Sequence, residues 1–200
     1  MIKPIKILIT GYFNSGKTTL IQSLDNDAII IEKKLIHAVS EEKTETTTGF
    51  DLGRLIWIRR DLEKETIGEI FNESEYESKK EDYIGWFKKD IELKGVPGKT
   101  QFSVIREILS KGCDGVIFLI DGCDLESLSG AKEALDETKA FIEKKIPIII
   151  IANKSDKDDF QGCEKISELI DEKVFEGSGK TKQGIKELII HLSKLILKEV

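Results

Sequence analysis

Residues 5–24 read IKILITGYFNSGKTTLIQSL, and this stretch decides the fold. Its first six residues are mostly apolar and β-branched, a composition that predicts a buried parallel strand. Gly11 ends that strand, and a helix is expected from Lys17 to Leu24. The loop between them matches the pattern G-x-x-x-x-G-K-[ST] in the strand–loop–helix context that the pattern requires. The stretch therefore predicts a phosphate-binding loop at the end of a central strand.

The chemistry of this loop, residues 11–18, suits a phosphate. Glycines at both ends let the backbone curl so that its N–H groups face the anion, and the helix adds the positive end of its dipole. Lys17 would reach the β- and γ-phosphates, and the Thr18 hydroxyl would ligate Mg²⁺. The alternative is a glycine-rich turn with an incidental lysine. The expected nucleotide contacts are Gly11, Phe13, Asn14, Ser15, Gly16, Lys17, Thr18 and Thr19.

Further along, buried strands alternate with helices. Strands are expected at 116–120 and 148–151, with a helix over 125–145 between them and a closing helix from Gly184. Two more strands are expected, one over 50–60 and one running up to Lys94. This order predicts one α/β domain over residues 1–200, with about six mostly parallel strands covered by helices on both faces. The strand over 50–60 would lie antiparallel at the edge, and ligands would bind at the carboxyl ends of the parallel strands.

Composition excludes several classes of protein. The net charge of −6 argues against a nucleic-acid-binding surface. The sequence contains no run of eighteen apolar residues, so no membrane span is expected. Neither a signal peptide nor a lipid-anchor signal is expected at the ends. Three cysteines without metal-ligand spacing are typical of a reduced, cytoplasmic protein.

The negative charge is concentrated in residues 61–82, the acidic segment, which carries nine acidic and three basic side chains. Ile67, Ile70 and Phe71 could form one short amphipathic helix there. One interpretation is a solvated, partly disordered excursion. The other is a docking arm for a basic partner, with possible anchors at Trp57, Tyr76, Tyr83 and Trp86.

A second motif concerns the base. Asn153-Lys154-Ser155-Asp156 follows the strand over 148–151. An aspartate accepts hydrogen bonds from guanine N1–H and the 2-amino group, whereas adenine offers no such donor pair. A buried carboxylate left unpaired costs on the order of 1–3 kcal/mol, so Asp156 would favour guanine. Lys154 would lie over the ring and Asn153 would tie this loop to the phosphate loop. A plain surface turn is the alternative.

With these two motifs the sequence resembles the Ras-like small GTPases over nearly its whole length apart from the acidic segment. Ser178-Gly179-Lys180 is similar to the family's guanine-supporting S-A-K loop, with glycine in place of alanine. Residues 46–51 resemble the first switch, whose threonine senses Mg²⁺ and the γ-phosphate. Alignment on Phe50-Asp51 favours Thr47 for this role, Thr48 is the rival, and a plain strand lead-in is the other reading.

Residues 95–102 occupy the second switch, where most relatives have D-x-x-G followed by glutamine. Gly95 stands in place of the aspartate and Lys99 in place of the glutamine. The Val-Pro-Gly turn is similar to that of the bacterial gliding and polarity GTPases. The resemblance implies that Gly98 gives its N–H to the γ-phosphate. It also implies that loss of the aspartate weakens Mg²⁺ binding or leaves the ion held through water.

The resemblance implies a Ras-like G domain with the acidic segment inserted between the switch strands. It would bind GTP or GDP with Mg²⁺ held by Thr18 and Thr47, and protein regulators or effectors would bind at 40–50 and 95–103. Water would attack the γ-phosphate, with Lys17, Thr47, Gly98 and Lys99 as the catalytic set.

Three departures predict slow hydrolysis, of which the loss of the aspartate at Gly95 is one. An ammonium at Lys99 has no acceptor with which to orient water, and Phe13 would shield the γ-phosphate. The main alternative is therefore a guanine-nucleotide-binding adaptor with little or no hydrolysis. A P-loop kinase or ATPase is a third option, but such a protein has no use for Asn153 or Asp156.

Overall fold

A computed structural model describes residues 3–34, 45–47, 50–61, 66–96, 107–108, 110–143 and 145–198. Seven strands of this part of the chain form one sheet in the order β5-β4-β6-β1-β7-β8-β9, and β2 and β3 form a separate antiparallel pair. The strands are β1 Ile5–Gly11, β2 Glu32–Lys34, β3 Glu45–Thr47, β4 Asp51–Asp61, β5 Thr66–Phe71, β6 Phe87–Gly95, β7 Gly115–Asp121, β8 Ile148–Asn153 and β9 Val174–Glu176.

Neighbours from β6 to β9 pair in parallel, whereas β4 runs antiparallel to both β5 and β6. The fold class is therefore confirmed as a mostly parallel α/β sheet, with seven strands where about six were expected. The helices of the described residues are α1 Lys17–Leu24, α2 Glu73–Lys79, α3 Leu128–Phe141, α4 Cys163–Ile170 and α5 Ile185–Lys198. None of them is long and apolar enough to cross a membrane.

Apolar side chains cover both faces of the sheet. On one face α1 and α5 pack on alternate residues of the strands, with Ile7, Ile9 and Leu93 fully buried. On the other face α3 and α4 pack on Phe118 and Ile120. Burial on both faces follows from strands that are almost continuously apolar, and it holds the carboxyl strand ends in fixed positions.

Two expectations, one about the acidic segment and one about the edge of the sheet, were wrong. Ile67, Ile70 and Phe71 belong to strand β5, not to a helix, and β5 pairs with β4 from Ile56–Phe71 to Asp61–Thr66. Consequently β5, and not the strand over 50–60, forms the edge of the sheet. Ile70 is buried on the α1–α5 face of the sheet and Phe71 on the other face. This alternation matches the two-residue period of a strand and not the period of a helix.

The residues of the acidic segment that follow β5 also form regular elements. Asn72 caps α2 with a capping box, in which its side chain accepts from the Glu75 N–H and the Glu75 carboxylate accepts from the Asn72 N–H. A 3₁₀ turn, Lys80–Tyr83, follows. Phe71, Tyr83 and Trp86 stack edge to face or tilted over Ile56 and Ile58, forming a small separate cluster. In the described part, residues 66–83 are thus folded against the sheet.

Trp57 is not a surface anchor. Its side chain is fully buried between the sheet and the α1–α5 layer. Tyr76, Tyr83 and Trp86 are half-buried and pack on the small cluster. The aromatic residues considered as docking anchors therefore serve, wholly or partly, to hold this region of the fold together.

Candidate nucleotide-binding site

The predicted motifs meet at one edge of the sheet. Gly11 ends β1 opposite Leu119 of β7, and Asp121 ends β7 opposite Asn153 of β8. Because these strands are parallel, their carboxyl ends place the phosphate loop and the base loop, residues 153–156, side by side. This is the position at which open α/β sheets bind ligands.

The phosphate loop needs its glycines. Gly11 and Gly16 have φ of 142° and 92°, and a Cβ at Gly11 would lie 2.2 Å from the Leu119 carbonyl oxygen. Gly16 caps α1 in the left-handed conformation. Asn14, with φ of 63°, is a non-glycine residue in the same region, which is uncommon and strained. The sequence pattern thus produces the curled backbone that a phosphate requires.

Lys17 points back into this loop. Its ammonium donates to the Gly11 carbonyl at 3.1 Å, the Tyr12 carbonyl at 2.7 Å and Ser15 Oγ at 3.2 Å. The side chain is only 8% exposed. A buried ammonium has to be hydrogen-bonded to be tolerated, and here the loop itself provides the acceptors. The lysine is therefore fixed where the predicted phosphate would lie.

Thr18 has a partner that the sequence did not reveal. Its hydroxyl donates to Asp51 Oδ2 at 2.7 Å. Asp51 begins β4 and pairs with Gly95 of β6, the position at which most relatives carry the metal-side aspartate. A Cβ at Gly95 would lie 3.3 Å from Asp51 Oδ2. A carboxylate from the neighbouring strand thus occupies the space beside Gly95.

The environment of Asp51 is unusual for a carboxylate. The residue is 1% exposed, and Oδ1 has no hydrogen-bond partner among the described residues. Burial raises the pKa of Asp51, although the Thr18 hydroxyl, the Ile31 backbone N–H and the Lys17 charge act in the opposite direction. A buried oxygen without a well-formed hydrogen bond, here called orphaned, is costly unless a cation or a ligand group meets it. Knowledge of the strand register would have identified Asp51 as a candidate, since a side chain opposite Gly95 reaches the space beside it.

Asn153 joins the two loops, as expected. Its Nδ2 donates to the Ser15 carbonyl at 2.8 Å, and its Oδ1 accepts from the Gly179 N–H at 2.7 Å. Both bonds are buried. A Cβ at Gly16 would lie 2.4 Å from Asn153 Nδ2, so the second glycine of the phosphate loop also makes room for this bridge.

The base end is open. Asp156 is exposed, which corrects the expectation of a buried carboxylate, and its Oδ1 accepts from Ser178 Oγ at 2.5 Å. The Ser178 hydroxyl holds the pKa of Asp156 below its usual range. Ser178 and Gly179 are buried, whereas Lys180 is exposed.

Lys154 is the other residue of the base loop. Its ammonium lies 2.5 Å from Asp121 Oδ2, and its backbone has φ of 71°. Asp121 is 5% exposed and was not predicted as a site residue. The polar residue directly after a buried strand was the available signal for it.

Other predicted residues are less defined. Phe13 is 37% exposed, and Thr19 is exposed on the first turn of α1. The backbone of Thr47 lies in β3 opposite Glu32, but its side chain is outside the described part of the structure. Thr48, Gly98 and Lys99 also lie outside the described residues. Their roles stay predictions.

No three His, Cys, Asp or Glu side chains of the described residues come together as a metal-binding group. Mg²⁺ usually uses one or two carboxylates, waters and substrate phosphates instead of an all-protein cage. The Thr18 hydroxyl and the Asp51 carboxylate fit that donor set.

Comparison with known proteins identifies a family and several relatives of this chain. Residues 3–197 match the family described as elongation factor Tu GTP binding domain. The chain is 26% identical to the mutual gliding-motility protein MglA of Myxococcus xanthus, over 98% of this chain and 91% of that protein. It is 26% identical to an uncharacterized protein of Methanocaldococcus jannaschii, over 92% of each chain. It is 28% identical to the Ras-like protein rasU of Dictyostelium discoideum, over 54% of this chain and 53% of that one.

The family match covers almost the whole chain, and the phosphate loop and base loop meet where such a domain binds its nucleotide. The chain therefore belongs to the GTP-binding domain family of elongation factor Tu and, within it, to the Ras-like small GTPases, which are GTP-binding switch proteins with MglA-like prokaryotic members.

Proposed function

We propose that this protein binds GTP and Mg²⁺, hydrolyses the GTP slowly on its own, and changes its contacts with partner proteins as it does so. The observation that supports this best is the Asn153 bridge. One side chain holds Ser15 of the phosphate loop and Gly179 beside the base loop. The bridge fixes the distance between the phosphate loop and the carboxylate acceptor of the base loop. A fixed distance is what the binding of one guanosine phosphate by both loops would require.

At the phosphate end the chain offers donors in fixed positions. The N–H groups of the curled loop and the first turn of α1 would face the β-phosphate. The Lys17 ammonium already lies inside the loop and would exchange carbonyl acceptors for phosphate oxygens, which are stronger partners for a charged donor. Little reorganisation is then needed when the nucleotide binds.

Thr18 and Asp51 are the residues proposed to hold Mg²⁺. The metal would supply charge neutralisation at the β- and γ-phosphates. Thr18 would turn its hydroxyl from Asp51 toward the ion, and Asp51 would accept from metal-bound water or ligate directly. The orphaned Asp51 Oδ1 supports this assignment. Thr47 remains the proposed ligand from the first switch.

At the base end Asp156 would accept from guanine N1–H and the 2-amino group. The Ser178 bond leaves the carboxylate ionised and restrains its rotation. Gly179 presents a backbone N–H whose position is fixed by Asn153, and Lys154 would lie along the ring. Adenine would leave the carboxylate without donors.

Hydrolysis requires a water aligned with the γ-phosphate, and the chain has Lys99 where most relatives have glutamine, with Gln101 two residues further on. We propose Gly98 as the donor to the γ-phosphate, while Lys99 has no acceptor for water. Intrinsic rates in this class are near 10⁻⁴ s⁻¹, and an activating arginine raises them by roughly 10³–10⁵. A single-turnover GTP assay tests this directly. A rate of roughly 5–20 s⁻¹, typical of stimulated enzymes, would contradict slow hydrolysis.

A guanine-nucleotide-binding adaptor is the second candidate, favoured by Gly95 and Lys99 in place of the usual aspartate and glutamine. The Asp51 carboxylate beside Gly95 favours the enzyme, because it restores a negative group on the metal side. The single-turnover assay separates the two. An enzyme converts bound GTP to GDP, even if slowly, whereas an adaptor of this kind leaves the bound GTP almost intact.

Partner proteins are proposed to bind at 40–50 and 95–103, the segments that the γ-phosphate would order. A single G domain with an inserted acidic segment and a cytoplasmic location stay predictions. The first experiment is to identify the nucleotide that copurifies, by chromatography after denaturation. GDP or GTP is expected, and ATP or ADP alone would contradict the assignment.

A further inference from the structure

Asp121 is a buried carboxylate that neither motif uses. It ends β7 between the two loops that would grip the nucleotide. Its Oδ2 lies 2.5 Å from the Lys154 ammonium and 3.5 Å from Asn14 Nδ2, and its Oδ1 accepts from the Cys123 N–H at 3.2 Å. The carboxylate is thus in contact with both the phosphate loop and the base loop.

A carboxylate that is 5% exposed is costly to bury unless it is paired. Lys154 supplies that pairing, and its side chain is itself only 19% exposed. The pair is electrically neutral, so it adds no net repulsion toward a polyphosphate held by the neighbouring loop. An isolated carboxylate at this position would repel the ligand.

The two residues that meet Asp121 share a backbone peculiarity. Asn14 and Lys154 have φ of 63° and 71°. Non-glycine residues in this region are strained and persist only where their surroundings hold them. Asp121 is one such constraint, and it acts on one strained residue in each loop. Asn153 connects the same loops through different atoms.

We propose that Asp121 is a positioning residue for the nucleotide: its carboxylate anchors the Lys154 ammonium so that the methylene chain lies ready along the purine, and it steadies Asn14 in the phosphate loop. The inference rests on the proposed function, since it assumes a purine nucleotide between these loops. Preorganisation of this kind lowers the ordering cost of binding. Its loss acts mainly on the rate of release.

The test is the release of N-methylanthraniloyl-GDP from the full chain carrying Asp121→Asn. The amide keeps the shape and the oxygen that accepts from the Cys123 N–H, but it removes the charge. Release is expected to be about tenfold faster, the effect of losing one charge-assisted bond. Association should change by less than about twofold. The GDP-over-IDP preference should not change, because Asp156 is untouched.

A double-mutant cycle separates positioning from a merely structural role. Lys154→Met keeps an unbranched chain but removes the ammonium. If the pair acts as a unit, Asp121→Asn changes the release rate of Lys154→Met clearly less than it changes that of the unaltered protein. Asp124→Asn is the matched control, since Asp124 is an exposed carboxylate nearby that accepts only from the Glu126 and Ser127 N–H groups in the described contacts. Its release rate should equal that of the unaltered protein.

Two results would overturn the inference: unchanged GDP release by Asp121→Asn, or effects of the two substitutions that multiply independently. If Asp121→Asn does not fold, Lys154→Met alone decides, because a release rate equal to that of the unaltered protein shows that the anchored ammonium contributes nothing. Absence of GDP binding by the unaltered protein would instead refute the proposed function, so the two failures are distinguishable.

Discussion

The two ends of the nucleotide site differ in how far the chain has completed them. At the phosphate end, Lys17 is 8% exposed and bonded to its own loop, and Thr18 is bonded to buried Asp51. At the base end, Asp156 and Lys180 are exposed, and Ser178 restrains one carboxylate oxygen. The phosphate end is thus assembled in advance, whereas the base end presents acceptors to be covered. We expect the first to determine affinity and the second to determine which base is bound.

The strongest test of this division is Lys17→Ala. It removes a charge that would contact two phosphates, and each such bond contributes about 1.5–3 kcal/mol. GDP affinity should fall about 10²–10³-fold, measured by isothermal titration calorimetry. Lys132→Ala, which alters an exposed lysine of α3, is the control and should bind as the unaltered protein does. Tight GDP binding by Lys17→Ala would contradict the expectation that the phosphate end determines the affinity for the nucleotide.

Asp156→Asn tests the base end. The amide presents a donor where guanine also presents donors, so GDP affinity should fall about 10- to 100-fold. ADP affinity should hardly change. Competition between GDP and ADP measures the ratio, and a preference for guanine that survives the substitution would rule out Asp156 as the reader of the base. Asp158→Asn, at an exposed neighbour, is the control.

Gly16→Ala tests the connection between the ends. The new methyl group would lie 2.4 Å from Asn153 Nδ2 at a residue with φ of 92°. The melting temperature should fall, by an amount that reflects backbone strain of roughly 1–3 kcal/mol plus the broken bridge. Gly85→Ala is the matched control, because Gly85 has φ of 82° in a turn closed by the Trp86 N–H and has nothing within 4 Å of its methyl group, so it measures backbone strain alone. Equal losses in the two variants would mean that the bridge adds little to stability.

Asp51→Asn is expected to have the smallest effect, a change in melting temperature that depends on pH. Burial raises the pKa of Asp51, so the folded protein binds this proton more tightly than the unfolded chain does. Stability from this source is therefore fully present below the ordinary aspartate value of 3.8 and is lost as the pH rises through the raised pKa. Without metal, the difference in melting temperature between the Asn variant and the unaltered protein should shift in favour of the variant as the pH rises from 4 to 7. A pH-independent difference would contradict the raised pKa.

Metal should reverse that advantage. In the presence of Mg²⁺ and GDP the carboxylate has a cation to meet, and the unaltered protein should be the more stable of the two. Thermal scans at neutral pH with and without Mg²⁺ provide the comparison. Equal stabilisation of both proteins by Mg²⁺ would mean that Asp51 does not serve the ion.

The site residues differed in how far sequence could predict them. Lys17, Thr18 and Asn153 were predictable because each belongs to a motif whose spacing follows one loop. Asp51 was not, because its role depends on an antiparallel pairing with Gly95 forty-four positions away. Asp121 was missed for a similar reason, since its partner Lys154 lies directly after the end of the neighbouring strand β8. Local patterns specify loops, whereas contacts between strands need the register.

The same limit explains the errors in the fold. The apolar residues Ile67, Ile70 and Phe71 fit a helical spacing as well as a strand, and a high charge density around them favoured a solvated interpretation. Pairing with β4 and the cluster around Phe71 decided in favour of the strand. The exposure of Asp156 was missed because the residue was treated as part of a buried strand end, whereas β8 ends three residues earlier at Asn153.

Strand β5 has a consequence for how this molecule can meet others. By pairing along β4 from Ile56 to Asp61, it hydrogen-bonds the edge that β4 would otherwise leave bare at those residues. An uncovered strand edge is a template on which foreign chains can add a strand or aggregate. Here the chain pairs that part of the β4 edge with its own strand β5. Strand β5 itself then forms the outer edge of the sheet, and the exposed Glu69 carboxylate on this strand would favour basic over acidic chains there.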